Sequence, residues 1–134
     1  MTARRLLVLL CASAGAMTCS LGAFPALLPE IGTAVGLTDL QLGILAGAFG
    51  LSRMLVDIPA GLLVTHHARR ALLAAPIFML AGVACLAAGG SLAWLLLGRV
   101  LMGIGHTLGM LAGLTTILRS REASGLASAL NAFE

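Results

Sequence analysis

Four polar residues interrupt apolar segments that are long enough to cross a membrane. They are Arg53, Asp57, Arg99 and His106. A charge at the centre of a membrane-spanning helix costs roughly 3 kcal/mol on insertion scales, so such side chains rarely face lipid. We therefore interpret these four residues as candidates for lining a pathway for a substrate or for protons.

The spacing of these residues limits the chemistry that they can share. Arg53 and Asp57 are four residues apart and can meet on one helix face, which allows either a self-neutralised pair or a role in the pathway. Arg99 and His106 lie within about 40° of one face of a later helix. An imidazole has an ordinary pKa of about 6.5 and can load or release a proton. Arg99 stays charged and could repel that proton or hold an anionic group.

Composition indicates that lipid, and not water, surrounds most of the chain. Of the 134 residues, 60% are hydrophobic and 10% are charged. Soluble domains have roughly 45–50% and 25%. The net charge of +3 is not a nucleic-acid footprint, because the arginines are not clustered and do not alternate with aromatic residues. The fold class predicted is all-α, a polytopic membrane protein.

Apolar runs predict about four transmembrane helices and the start of a fifth. Thr38 and Gln41 form a capping-box pattern at the start of the second helix, and Gly89-Gly90 break a run that is too long for one crossing. The predicted helices lie at about 6–28, 39–64, 71–89, 92–118 and 125–134 onward, within one incomplete bundle that spans residues 1–134.

Arginines mark alternate loops. The N-terminus and the loops after the second and fourth helices contain them: Arg4, Arg5, Arg69, Arg70, Arg119 and Arg121. The other two loops have none. The positive-inside rule then places the N-terminus in the cytoplasm. The absence of lysine and the abundance of alanine, glycine and leucine favour a bacterial chain in the plasma (inner) membrane.

Glycines predict the faces on which helices pack. Gly105, Gly109 and Gly113 repeat every four residues, and Gly43 and Gly47 offer a similar surface on the second helix. Small residues at this spacing let helix backbones approach closely in lipid. No Cys/His spacing resembles a metal site, so neither a metal nor a cofactor is expected.

The loop after the second helix resembles a signature of the major facilitator superfamily, G-x-L-a-D-r-x-G-r-k-x-x-l. The matching residues are Gly61, Leu63, Arg69, Arg70 and Leu73, while Thr65 replaces the Asp and Ala68 replaces the Gly. In that family the Asp and the arginines form a conformational latch. The resemblance therefore implies that Gly61, Thr65, Arg69 and Arg70 form a conformational-switch loop, and the missing Asp alters its latch.

The fourth helix resembles a second signature of the same family, l-x-x-x-R-x-x-q-G-x-g. Leu95, Arg99, Gly103 and Gly105 match, and Met102 replaces the Gln. The resemblance implies a twelve-helix secondary transporter that moves a small solute by alternating access and is coupled to protons by family analogy. It also implies that this chain is an N-terminal portion whose partner is a missing C-terminal bundle.

Other classes fit the residues less well. Small four-helix dimeric multidrug transporters need a carboxylate in the first helix, and Leu6 to Leu28 contains none. A non-transporting membrane scaffold would gain little from the insertion cost of Arg53, Asp57 and Arg99. An enzyme is not expected, because the sequence has no nucleophile–base pair, paired carboxylate site or phosphate loop. The weakly polar first helix slightly favours a lipophilic or weakly polar substrate.

Overall fold

A computed structural model describes residues 3–119 as three α-helices joined by short turns. The helices are α1 (Ala3–Val35), α2 (Asp39–Ala88) and α3 (Leu92–Arg119), and the described residues contain no strand. All three are long and apolar enough to cross a membrane. The all-α membrane class is confirmed. The fifth helix predicted from residue 125 onward lies outside the described residues.

The long helix α2 is broken near its middle. Its 50 residues would extend about 75 Å if straight, more than twice the apolar thickness of a bilayer. The backbone of His67, with φ −137° and ψ 46°, leaves the helical region. We call residues 39–66 the first half of α2 and residues 68–88 the second half. The six-residue loop predicted between 64 and 71 is therefore reduced to one non-helical residue.

The two halves of α2 pack against α3 and run in opposite directions. In the first half, Ser52 lies against Gly103, while further along the chain Thr65 accepts a hydrogen bond from Arg119. That half is therefore parallel to α3. In the second half, residue 82 lies against residue 98 and residue 75 lies against residue 105, so the direction is reversed. The three helices consequently make four crossings.

Local chemistry explains where the helices begin and end. The side chain of Thr38 accepts a hydrogen bond from the Gln41 amide, and the Gln41 side chain accepts one from the Thr38 amide, which completes the capping box. Gly36, Gly89 and Gly90 have positive φ values of 72°, 52° and 82°, which end the preceding helices at little steric cost. Because only three residues separate α1 from α2, α1 extends to Val35, seven residues beyond its predicted end at residue 28.

Helix α3 lies at the centre of the bundle, and 13 of its 28 residues are buried, against 8 of 50 in α2. Small side chains from both halves of α2 pack against it, in a cluster formed by Ala60, Val64, Ala71, Ala75, Leu108 and Ala112. Large apolar residues on the other faces of α2, such as Ile58 and Ile77, are exposed, as lipid contact requires. Tight backbone packing of this kind holds helices together where no hydrophobic effect is available.

Helix α1 runs antiparallel to α3 along one side of the bundle. Its Phe24 packs with Leu45 of α2 and Leu95 of α3 in a second buried cluster. Toward its N-terminal end, Met17 lies beside Gly109. The buried polar residues of α2 and α3 therefore lie where α1, α2 and α3 pack together. This region is the candidate site.

Candidate functional site

Three basic side chains converge on the ring of Phe49. The Arg99 guanidinium carbon lies 4.9 Å from the ring centroid and the Arg53 guanidinium carbon lies 5.8 Å from it. The His106 ring meets Phe49 edge to face, with 5.7 Å between centroids and 77° between planes. The structure thus brings together three of the four residues predicted to line a pathway. We call this group the Phe49 cluster.

Arg99 contacts two aromatic rings from two different helices. Its guanidinium carbon lies 4.0 Å from the centroid of Phe24 on α1, in addition to its contact with Phe49 on α2. The side chain is only 5% exposed. Cations attract the negative face of an aromatic ring most strongly when both are desolvated. The two rings therefore offset part of the cost of burying Arg99.

Several buried nitrogen atoms of the Phe49 cluster have no hydrogen-bond partner. Within residues 3–119 these are the Nε and Nη1 atoms of Arg99, the Nε atom of Arg53 and the Nδ1 atom of His106, all buried. His106 itself is 7% exposed. Buried polar groups are nearly always paired in folded proteins, because an unpaired group loses its hydration without compensation. The cluster is therefore suited to an acceptor with several oxygen atoms.

The hydrogen-bond partner of Asp57 is a residue of α3, and not Arg53 on its own helix. Its carboxylate is exposed and accepts a hydrogen bond of 3.3 Å from the hydroxyl of Thr107, which is 1% exposed. Arg53 contacts Phe49 one turn earlier on the same helix. The carboxylate is thus tied to α3 at the residue that follows His106, and Arg53 is left in the cationic group.

Glycines allow the close approach of the helices around the cluster. At Gly103 a Cβ atom would collide with Ser52 and lie 2.9 Å from the Phe49 carbonyl oxygen. Gly105 and Gly109 contact the second half of α2, Gly109 also contacts Met17 of α1, and Gly113 is buried. Gly43 and Gly47 are exposed, and a Cβ atom at either position would meet nothing within 4 Å.

The predicted switch loop lies at the His67 break, at the end of the bundle where α3 terminates. Thr65 donates a hydrogen bond of 2.8 Å to the Gly61 carbonyl oxygen, and its own carbonyl oxygen accepts one of 2.7 Å from Arg119. A cavity of about 710 Å³ opens here, which we call the cationic cleft. Its lining residues are His66, His67, Ala68, Arg69, Arg70, Leu72, Thr116 and Arg119.

Sequence reasoning missed the aromatic and hydroxyl residues of the site. Phe49 precedes Arg53 by one helical turn, so the i, i+4 rule that related Arg53 to Asp57 could have included it. Phe24 and Thr107 gave no such signal, because their contacts depend on how separate helices are rotated against each other. Gly82 and Gly98, which pack against each other's carbonyl oxygens, were also missed.

A four-crossing helical bundle that buries Arg99, His106 and Thr107 between its apolar helices is an integral membrane protein with a polar interior. Within the described residues, no group of His, Cys, Asp or Glu side chains could hold a metal ion. The sequence profile of the Major Facilitator Superfamily matches residues 6–133. The chain belongs to that family of transporters.

One curated relative is similar over part of the chain. It is the human "Solute carrier family 2, facilitated glucose transporter member 10", with 36% identity over 78 residues. The match covers 58% of this chain and 14% of that protein. No solved structure matches the chain.

Proposed function

We propose that the chain forms part of a secondary transporter that moves a small solute by alternating access, and that the Phe49 cluster lines its substrate or proton pathway. The supporting observation is the convergence of Arg53, Arg99 and His106, with unpartnered buried donors, at the junction of α1, α2 and α3. Membrane transporters place such groups beside a pathway and away from lipid. Transporters of this general kind bind their solute near the midplane.

The charge of the cluster favours a solute with an anionic group. Two guanidinium groups near one ring repel each other, and the nearest carboxylate on the same helix, Asp57, is engaged with Thr107. A carboxylate or a phosphate group would accept several of the free hydrogen bonds and would offset the repulsion. A neutral sugar is the second candidate, because the human relative is named as a glucose transporter and hydroxyl groups also accept hydrogen bonds.

His106 is our candidate for proton coupling. Its edge contacts Phe49, and the next residue, Thr107, is bonded to the Asp57 carboxylate. Protonation of the imidazole would add a third positive charge to the cluster and strengthen its attraction for an anion. Loss of that proton on the other side of the membrane would favour release.

The switch loop would control which side of the membrane is open. Its residues Gly61 and Thr65 end the first half of α2, and Arg69 and Arg70 begin the second half. Arg119 binds the Thr65 carbonyl oxygen where the related signature has a carboxylate, so the latch would rest on a backbone acceptor. We propose that this end of the bundle and the N-terminus face the cytoplasm and that the membrane is a bacterial inner membrane. The partner of this bundle would be a C-terminal bundle.

The test is transport by the complete protein that contains this chain, reconstituted in vesicles that enclose a pH-sensitive dye. Small carboxylates and sugars of similar size would be added in parallel, with and without a pH gradient. We expect Arg99→Ala to abolish uptake of the transported solute. We expect His106→Ala to remove the dependence of uptake on the pH gradient.

Arg119→Ala is the comparison variant, because it removes an exposed arginine of the same helix that belongs to the proposed latch and lies outside the Phe49 cluster. We expect it to slow turnover and to retain solute binding and pH dependence. Unchanged rates and pH profiles in both Arg99→Ala and His106→Ala would refute the proposed pathway. Uptake of sugars alone would favour the second candidate solute.

A further inference from the structure

The cationic cleft gathers more positive charge than any other part of the described chain. Five of its eight lining residues are basic, and Arg69, Arg70 and Arg119 among them are permanently charged. None of the lining residues is acidic. The described lining of the cleft therefore presents three permanent positive charges and no negative one at one end of the bundle.

Among the residues that the structure describes, no acidic side chain lies beside the cleft. The acidic residues within positions 3–119 are Glu30, Asp39 and Asp57. Glu30 and Asp39 lie at the opposite end of the first two crossings. Asp57 is eight residues before Thr65, about 12 Å along the helix axis. Thr65 itself offers only a hydroxyl, and that hydroxyl donates to a carbonyl oxygen of its own helix.

The cleft also has an apolar side. Ala68 and Leu72 line it and are half-buried, and the adjacent Leu73 is 62% exposed. The volume of about 710 Å³ lies within the roughly 300–1,000 Å³ typical of ligand sites. A basic mouth beside an apolar wall, at the end of membrane-spanning helices, matches a molecule with a phosphate at one end and a hydrocarbon chain at the other.

We propose that the cationic cleft binds the phosphate headgroup of an anionic phospholipid. The guanidinium groups of Arg69, Arg70 and Arg119 pair with the phosphate, and the first segment of an acyl chain lies along Ala68 and Leu72. Basic pockets between transmembrane helices are suited to anionic headgroups, because the bilayer surface already concentrates those lipids there. The site does not depend on the proposed transport function.

A lipid bound in this cleft would join three chain segments. His66 ends the first half of α2, Arg70 belongs to the second half, and Arg119 ends α3. The backbone between the two halves of α2 is free of helical constraint only at His67. The bound headgroup therefore fixes the angle at the break, and its effect should be measurable as added stability.

The experiment uses the purified chain in bilayer nanodiscs made from mixtures of phosphatidylglycerol and phosphatidylcholine. Native mass spectrometry after release from the disc counts the lipids that remain bound. We expect the chain to retain phosphatidylglycerol in preference to phosphatidylcholine. Each arginine near an anionic surface contributes about a fivefold preference, so Arg70→Gln/Arg119→Gln should reduce the preference at least tenfold.

The matched control is Arg4→Gln/Arg5→Gln, which removes the same charge from the first turn of α1 at the same end of the bundle. It should keep most of the preference. An equal loss in both variants, or no preference in the unaltered chain, would overturn the proposal. Displacement of the lipid by inorganic phosphate at equal concentration would also overturn it and would indicate a soluble anion. The comparison of lipids on the unaltered chain decides the matter even if a variant fails to fold.

Discussion

Replacement of Gly105 by alanine should loosen the bundle at the centre of α3. A Cβ atom there would lie 2.8 Å from the Ala75 carbonyl oxygen and 2.9 Å from the Met79 amide nitrogen. Non-bonded contacts are favourable only beyond about 3.5 Å, so α3 and the second half of α2 must separate by roughly 0.7 Å. Both neighbours are backbone atoms and cannot turn aside as a side chain could.

The magnitude follows from two opposing effects. Overpacking a tight contact costs about 1–3 kcal/mol, while alanine in place of glycine returns up to about 1 kcal/mol of helix propensity. We expect Gly105→Ala to be destabilised by about 1–2 kcal/mol. Gly47→Ala is the matched control, because its Cβ atom would meet nothing within 4 Å. It should be neutral or gain up to about 1 kcal/mol.

The assay is unfolding of the chain in mixed micelles by increasing dodecyl sulfate, followed by circular dichroism of the helices and by the fluorescence of Trp94. Both variants and the unaltered chain would be measured under the same conditions. The reasoning fails if Gly105→Ala unfolds at the same detergent fraction as the unaltered chain. It fails equally if Gly47→Ala is the less stable of the two variants.

Two further predictions concern the hydrogen bond to Asp57 and the orientation in the membrane. Thr107→Val should lower the stability of the bundle by less than about 1 kcal/mol in the same assay, because interhelical hydrogen bonds in membranes average about 0.6 kcal/mol and this one is long at 3.3 Å. A loss of stability above about 2 kcal/mol would contradict that reasoning. In a variant that lacks the native cysteines, His67→Cys should resist impermeant thiol reagents added to whole cells and Ala93→Cys should react, because the two exposed positions lie at opposite ends of a crossing; the reverse pattern would invert the proposed orientation.

The insertion cost of charge singled out four residues that were expected to avoid lipid, but it did not indicate what they contact, and Asp57 is exposed within the described bundle. Arg99 and His106 were expected to point away from lipid, and the structure buries both. Their role in a pathway stays a prediction. Their meeting at Phe49 depends on the rotation of α2 against α3, and hydrophobic periodicity alone does not fix that angle. Asp57 shows the limit of spacing as a guide, because its contact is with Thr107 on another helix.

Glycine spacing predicted packing well only where a partner helix exists within the described residues. Gly105 and Gly109 lie in close contacts, but Gly43 and Gly47, with the same spacing, are exposed. A stripe of small residues indicates where a second helix could pack closely. Whether one does so depends on which helix lies beside the stripe. The sequence did not predict that the chain reverses its direction at the single residue His67, because the polar residues around it are equally compatible with a longer loop.

The burial of Arg99 in contact with Phe24 and Phe49 has a consequence for biosynthesis. A chain is synthesised from its N-terminus, so both rings enter the bilayer before α3 leaves the ribosome. Phe24 and Phe49 are then already in the membrane when Arg99 enters it, so they can shield the side chain of α3 that costs most to insert. The first two crossings thus assist the insertion of the fourth. We expect replacement of either ring to increase the degradation of newly made chains.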